Sequence, residues 1–317
     1  INPAAERVLK DIHADIWNLC NNHIMDAGQD GLALTLQEAK KFGAKTIGVG
    51  MNMTEAARSL ILDEAGGIGL FAVGYQRGCK PAGEDKGGCL SWSEMEVIRS
   101  VIQEIKAKCR WCVVVAHGGE EFTAIPSPYT RERYHAYLEM GADLVVCHHP
   151  HVPMNYETVG DKMIFYSLGN FIFDTDYQRA QFNTEKGILL KLHFTETKYS
   201  FEALGLKINR ENEHIETAPL PKIFDIQEDD YNKLEPLAAK MFLAATKRQQ
   251  LFLYPDKFKN ATEAQWKDHF YEEKRSGRVP GEALDFQIIY PIAQEEAKGA
   301  WKECKLEAVK AYILEQM

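Results

Sequence analysis

At 317 residues and a net charge of −9, the chain is long enough for one large core domain with an appendage, and too acidic to present a surface built for nucleic acid. Hydrophobic residues at 45% and charged residues at 26% are the balance of a globular protein rather than a disordered one. No run of roughly 18 apolar residues is present, so no segment is expected to span a membrane.

The opening Ile1-Asn2-Pro3-Ala4-Ala5 has no methionine, basic n-region or apolar h-region and reads as an internal stretch of a longer protein. Hydrophobic spacing then predicts a helix over 4–13, a strand over 16–20, a helix over 32–42 and a strand over 46–49. A short helix over 54–60 and a strand over 68–75 follow, with a loop over 78–88. Residues 93–108 form a strongly amphipathic helix, 112–116 a buried strand, 128–140 a helix and 144–147 a strand. Further strands are expected over 162–167, 187–194 and 199–208. Such alternation argues for an α/β fold with helices covering a sheet.

From residue 225 long charged side chains dominate, with helical periodicity over 231–249 and 292–317 around an aromatic stretch holding Trp266, Phe270 and Tyr271. The expected organisation is a core domain over 1–224 and a mainly helical extension over 225–317 packed on it. Seven cysteines, an odd number, leave at least one without an intrachain partner. Cys79 and Cys89 flank the loop and suit a bridge in an exported protein, while buried free thiols suit a reducing compartment equally. Cys109 and Cys112 are spaced as C-x2-C without a second such pair, which argues against a zinc ribbon.

Three segments share one design, an apolar strand running into a polar cluster. Ile16 to Cys20 runs into Asn21-Asn22-His23, Val113-Val114-Val115-Ala116 into His117, and Leu144-Val145-Val146 into Cys147-His148-His149-Pro150-His151. Ligand sites of open α/β sheets form beyond the carboxyl ends of strands, so the three tips are expected to converge. Alternation along an extended backbone would put His149 and His151 on one side, able to grip metal. Imidazole nitrogens with an amide or carboxylate oxygen suit zinc, manganese or iron rather than calcium. Two such ions about 3.5–4 Å apart would clamp an oxyanion and lower the pKa of a bound water.

Four motifs in order carry a resemblance over residues 1–220: Asn21-Asn22-His23-x-x-Asp26-x-Gly28, Ala116-His117-Gly118-Gly119-Glu120, His148-His149-Pro150-His151-Val152, and Tyr166-Ser167-Leu168-Gly169-Asn170-Phe171. Together they resemble the bacterial CapA-type capsule proteins, associated with poly-γ-glutamate synthesis, of the calcineurin-like metallophosphoesterase superfamily. The resemblance implies a four-layer α/β/β/α sandwich around two divalent ions, Mn, Fe or Zn. It implies that Asn22, His117, His149 and His151 bind metal, that His23 acts as acid or steadies the oxyanion, and that Asp26 orients His23 or anchors the helix after it. Asn21, Glu120, His148 and Asn170 become the candidate substrate-binding residues, with Asn170 at the rim, His148 where the superfamily usually has glycine, and Glu120 and Glu121 solvated or behind His117. The substrate would be an anionic phosphoester or γ-glutamyl polymer, with capsule-synthesis proteins as partners. A cell-envelope or exported location follows from the same likeness.

Two departures stand out. The superfamily's Asp-x-His and Gly-Asp motifs, which precede the asparagine-histidine motif, have no counterpart here, so N-terminal strands are expected to be missing. Asp11-Ile12-His13 has the right letters but lies in a helix too close to His23. Gly118 stands where the family often has an aromatic, which predicts a more open pocket wall. The rival to a hydrolase is a non-catalytic protein that binds polymer or organises capsule export.

Overall fold

The computed structural model describes residues 3–75, 78–122, 125–179, 181, 183–221 and 225–227, with residues 231, 232, 262, 264, 265 and 268 beyond them. Helix α1 (Pro3–Asp11) leads into β1 (Ile16–Asn18), and α2 (Gly28–Phe42) into β2 (Lys45–Ile47). There follow β3 (Val49–Gly50), α3 (Met53–Ala56), β4 (Leu60–Leu62), β5 (Ile68–Gly74) and β6 (Gly88–Cys89). The central part holds α4 (Met95–Lys106), β7 (Trp111–His117), α5 (Pro128–Met140) and β8 (Leu144–His148). After it come β9 (Tyr156–Val159), β10 (Lys162–Phe165), α6 (Asp176–Arg179), β11 (Lys186–Phe194), β12 (Tyr199–Asn209) and β13 (His214–Ala218).

A six-stranded sheet in the order β4-β5-β7-β8-β10-β9 forms the centre. Its four inner strands run parallel, and β4 and β9 close the two edges antiparallel. Apolar residues crowd the inner strands because both faces are covered. Alternation along β7 sends Cys112 and Val114 to one face, where they meet Ile98, Ile102 and Ile105 of α4 and Tyr134, Tyr137 and Leu138 of α5. Trp111 and Val113 face the other way, onto Leu190, Leu192 and Phe194 of β11 and Tyr199 and Phe201 of β12. The described residues thus stack a helical layer, the central sheet and the three-stranded antiparallel sheet β11-β12-β13. Each aliphatic side chain buried between layers contributes roughly 1.5–3 kcal/mol of transfer free energy.

Beside this stack, β1 and β2 pair in parallel, and β3 pairs with β6 antiparallel. Their small core gathers Cys20, Leu32, Ile47, Val49, Ala72, Cys79 and Cys89. The strand expected over 46–49 is broken at Gly48, whose φ of 84° turns the chain between β2 and β3. The helix expected over 54–60 covers only Met53–Ala56, capped by the Asn52 side chain accepting from Glu55 N–H at 2.9 Å. Beyond it the chain straightens because Leu60 pairs with Leu70 at the sheet edge, a tertiary contact that overrides helical spacing. The loop expected over 78–88 holds, except that its last residue enters β6.

Asp225 pairs with Tyr156 of β9, and Ile226 donates its N–H to Tyr156 O at 2.8 Å. Tyr231 is buried, its hydroxyl donating to Pro126 O at 3.2 Å. Residues 231 and 232 are helical; the rest of the helix expected over 231–249, and all of that over 292–317, lie outside the described residues. No helix among the described residues is long and apolar enough to cross a membrane.

Candidate metal centre

Parallel pairing puts the ends of β7 and β8 side by side, with His117 in register with His148. The end of β1 comes to the same place, and its last residue, Asn18, reaches His148 across 130 positions of sequence. Asn18 is oriented by Cys20, whose N–H donates to Asn18 Oδ1 at 3.0 Å, so the amide NH2 faces His148 Nε2 at 2.6 Å. With Nε2 accepting, the His148 proton sits on Nδ1 and is donated to His117 Nδ1 at 2.7 Å. His117 then donates from Nε2 to Asn22 Oδ1 at 3.0 Å, and Asn22 Nδ2 donates to His23 Nε2 at 3.3 Å. His23 Nδ1 ends the series on Asp26 Oδ2 at 2.9 Å. One direction of donation therefore satisfies the whole series from Cys20 to Asp26.

His149 and His151 follow β8 in a turn, not in the extended backbone that alternation presumed. Their φ angles are 113° and 63°, a left-handed region that costs non-glycine residues of order 1–3 kcal/mol each. The turn nevertheless brings the rings together: His149 lies 4.8 Å from His117 and 5.8 Å from His151 between ring centroids. His149 packs on Tyr75 at 4.6 Å, and its buried Nδ1 has no hydrogen-bond partner. Such an orphaned nitrogen is costly unless something fills it. His151 Nδ1 donates to Asn170 Oδ1 at 2.9 Å, which fixes the tautomer and leaves Nε2 as a lone pair. Glu121 Oε1 lies 3.9 Å from His149 Nε2, and one ligand atom from each of Glu121, His149 and His151 falls within 4.8 Å of the others.

Electrostatics keep His117, His148 and His149 neutral. Burial, and then the neighbouring imidazoles, hold His117 and His149 well below the ordinary histidine value. Burial and His151 bring His148 down to about 4. Neutral imidazole is the ligand form, so nitrogens with free lone pairs stand beside a carboxylate at neutral pH. This donor set, with its unfilled Nδ1, fits a divalent ion of the zinc, manganese or iron type.

The other sequence candidates are placed as follows. Asn21 shapes the turn, accepting from His23 N–H at 2.9 Å and donating to Leu19 O at 3.2 Å. His23 and Asp26 are exposed at the mouth, with side chains 62% and 68% accessible, so a substrate can reach them. Glu120, expected solvated or behind His117, is buried and accepts from Ser127 Oγ at 2.7 Å and Thr130 Oγ1 at 3.0 Å, at the start of α5. The helix N-terminus, where N–H groups point outward, draws this carboxylate in. Asn170, expected at the rim, is buried and donates to Thr184 O at 3.0 Å. Gly118 does not open the wall: a Cβ there would lie 2.5 Å from a ring carbon of Trp92, which fills that space. Sequence reading missed Asn18, Tyr75 and Trp92, and gave Glu121 no part in the ligand group.

Residues 1–175, which carry Asn22, His117, His149 and His151, match the bacterial capsule synthesis protein family PGA_cap. The chain belongs to this family. Its PGA_cap relatives include the PGA biosynthesis protein CapA of Bacillus subtilis, 32% identical over 184 residues, covering 57% of this chain and 48% of that protein. The capsule biosynthesis protein CapA of Bacillus anthracis is 28% identical over 181 residues, 55% of this chain and 44% of that one. A probable polyglutamine synthesis accessory protein of Mycobacterium tuberculosis is 25% identical over 195 residues, 55% and 49% of the two chains. The chain spans about half the length of these curated relatives.

Proposed function

We propose that this PGA_cap domain is a metal-dependent hydrolase of the calcineurin-like phosphoesterase type, acting in capsule or poly-γ-glutamate biosynthesis on a phosphoester or γ-glutamyl substrate. The observation that carries the reading is the buried, unpartnered Nδ1 of His149 within a group of imidazoles and one carboxylate. Asn22, His117, His149 and His151 would hold divalent ions, Mn, Fe or Zn, with Glu121 added to the ligands; His117 Nε2, which carries a proton toward Asn22 Oδ1 in the metal-free chain, would release it on ligation. A bound pair of such ions supplies a hydroxide nucleophile at neutral pH and offsets charge on the oxyanion. His23 is exposed and held at Nδ1 by Asp26; once Asn22 turns to the metal and frees Nε2 to carry a proton, His23 stands where it can hand that proton to the leaving group. His148 and Asn170 orient His117 and His151 from behind, Asn21 sets the turn that presents Asn22, and Glu120 anchors α5. The four-layer α/β/β/α sandwich of that superfamily belongs to the same reading, as does an extension over 225–317 packed on the core.

A second reading is a non-catalytic domain that binds an anionic polymer or partner proteins of capsule synthesis and export. One observation favours it: among the described residues, Glu121 is the carboxylate grouped with the histidines, without an aspartate. Metal content of the purified chain, followed by hydrolysis assays on a phosphodiester and on poly-γ-glutamate, separates the two. The hydrolase reading expects turnover that disappears in His149→Ala/His151→Ala together with the metal held by the histidine group. Full metal content in that variant refutes the site, and metal without turnover of either substrate favours the second reading.

A further inference from the structure

Away from the histidines, three thiols converge. Cys20 follows β1, Cys79 lies beyond β5 and Cys89 ends β6; none of them has exposed surface. Their sulfurs lie within 4.8 Å of one another. Three separate segments bring them together, so folding rather than sequence proximity makes the cluster. The pocket around them is apolar, lined by Leu32, Ile47, Val49 and Ala72. Gly74 leaves the room: a Cβ there would stand 2.6 Å from Cys79 Sγ and 2.7 Å from Cys20 Sγ. Gly48 does the same behind Cys20, at 2.6 Å from its Cβ. Besides one another, the thiols meet backbone oxygens at long range, Cys79 Sγ to His117 O at 3.9 Å and Cys89 Sγ to Asn21 O at 3.8 Å.

We propose that Cys20, Cys79 and Cys89 form a three-thiolate site for one thiophilic d10 cation, Zn2+ or Cu+, separate from the histidine group. A donor set made of sulfur alone selects such ions over Mn2+, Mg2+ or Ca2+, which want oxygen. A disulfide would join two of the sulfurs and strand the third in an apolar pocket, whereas one ion engages all three. Binding replaces S–H bonds with S–metal bonds and releases the thiol protons to solvent. The cation ties the backbone just before Asn21 and Asn22 to the segments carrying Cys79 and Cys89, whose own contacts are His117 O and Asn21 O. It therefore braces the two loops on which the candidate metal ligands stand. The inference does not depend on the hydrolase reading.

The test uses the full chain, expressed with zinc or copper in the medium and purified anaerobically with the thiols reduced. X-ray absorption at the metal edge is expected to show a sulfur shell, at about 2.3 Å for zinc, with the histidine nitrogens dropping out of the average in His149→Ala/His151→Ala. Cobalt substitution is expected to give a thiolate-to-cobalt charge-transfer band in the near ultraviolet. Both signals should persist in His149→Ala/His151→Ala, which empties only the histidine group, and vanish in Cys89→Ser. If Cys89→Ser does not fold, the wild-type sulfur shell and its persistence in the histidine variant decide. A wild-type chain that retains neither ion on sulfur, or in which two of these cysteines are found as a disulfide, overturns the site.

Discussion

The imidazoles of His117 and His148 meet nitrogen to nitrogen, Nδ1 to Nδ1 at 2.7 Å, so a single proton lies between them. Asn18 decides its owner, because Cys20 N–H pins the amide and makes His148 Nε2 the acceptor. His148 is thus the donor and His117 is held in one orientation by residues that touch no ligand. Replacing Asn18 with Ala leaves the sheet intact and lets both rings turn. Metal affinity, measured by calorimetric titration with Mn2+, is expected to fall roughly 10–100-fold, the usual loss when a ligand histidine loses its orienting partner. An unchanged affinity would show that Asn18 has no such role.

At His149 the backbone itself is the issue, since a φ of 113° burdens any residue with a Cβ. His149→Ala and His149→Gly remove the same ring and differ only in that burden. The glycine variant is expected to be the more stable of the two by roughly 1–3 kcal/mol in urea unfolding, with both unable to bind metal at this site. Equal stabilities would mean that the turn is not strained.

Acid should loosen the metal-free chain earlier than its carboxylates alone would. The folded state holds His148 at about 4 against an unfolded value of 6.5, so it binds fewer protons than the unfolded chain between those values. The stabilising contribution is whole above pH 6.5 and is lost as pH falls toward 4. By pH 5 the loss from His148 alone is on the order of 2 kcal/mol. Denaturation midpoints of metal-free protein at pH 7 and pH 5 measure it, and His148→Gln should narrow the difference by about that amount, leaving the share of His117 and His149, which burial also holds low.

Glu157 ties α5 to the edge strand β9. Burial opposes its charge, but hydrogen bonds from His135, Arg131 and Tyr166 outweigh that and hold its carboxyl at about 2. Arg131 Nε donates at 3.1 Å and His135 Nε2 at 3.0 Å. Glu157→Gln strips the charge from a buried pair, an expected cost of roughly 3–5 kcal/mol, read as a fall in Tm without change in metal content. An unaltered Tm would contradict it.

What the sequence displayed were the strand tips. Val113 to Ala116 running into His117, and Leu144 to Val146 running into His148, are apolar runs that can only be buried, and burial fixes where the polar ends emerge. Asn18 was hidden because its partner lies 130 residues away and its strand has three residues. Trp92 was hidden because it fills the space above Gly118 from a different segment. Rings of His149 and His151 do come near each other, but through two left-handed residues, which no pattern of letters displays. Glu120 and Glu121 are adjacent and chemically equal; only the start of α5, which claims the first, leaves the second to the histidines.

Strand β9 ends the central sheet, and its outward hydrogen-bonding groups are met by residues 225–227: Tyr156 O accepts from Ile226 N–H at 2.8 Å, and Thr158 N–H donates to Asp225 Oδ1 at 2.7 Å. A protein cut after residue 224 would bare that margin, together with the surface that buried Ile226 covers. Unmated strand margins recruit one another, so such a fragment would tend to stick to its own copies while its histidine cluster remained intact. Residues 225–227 are thereby expected to hinder self-association along β9.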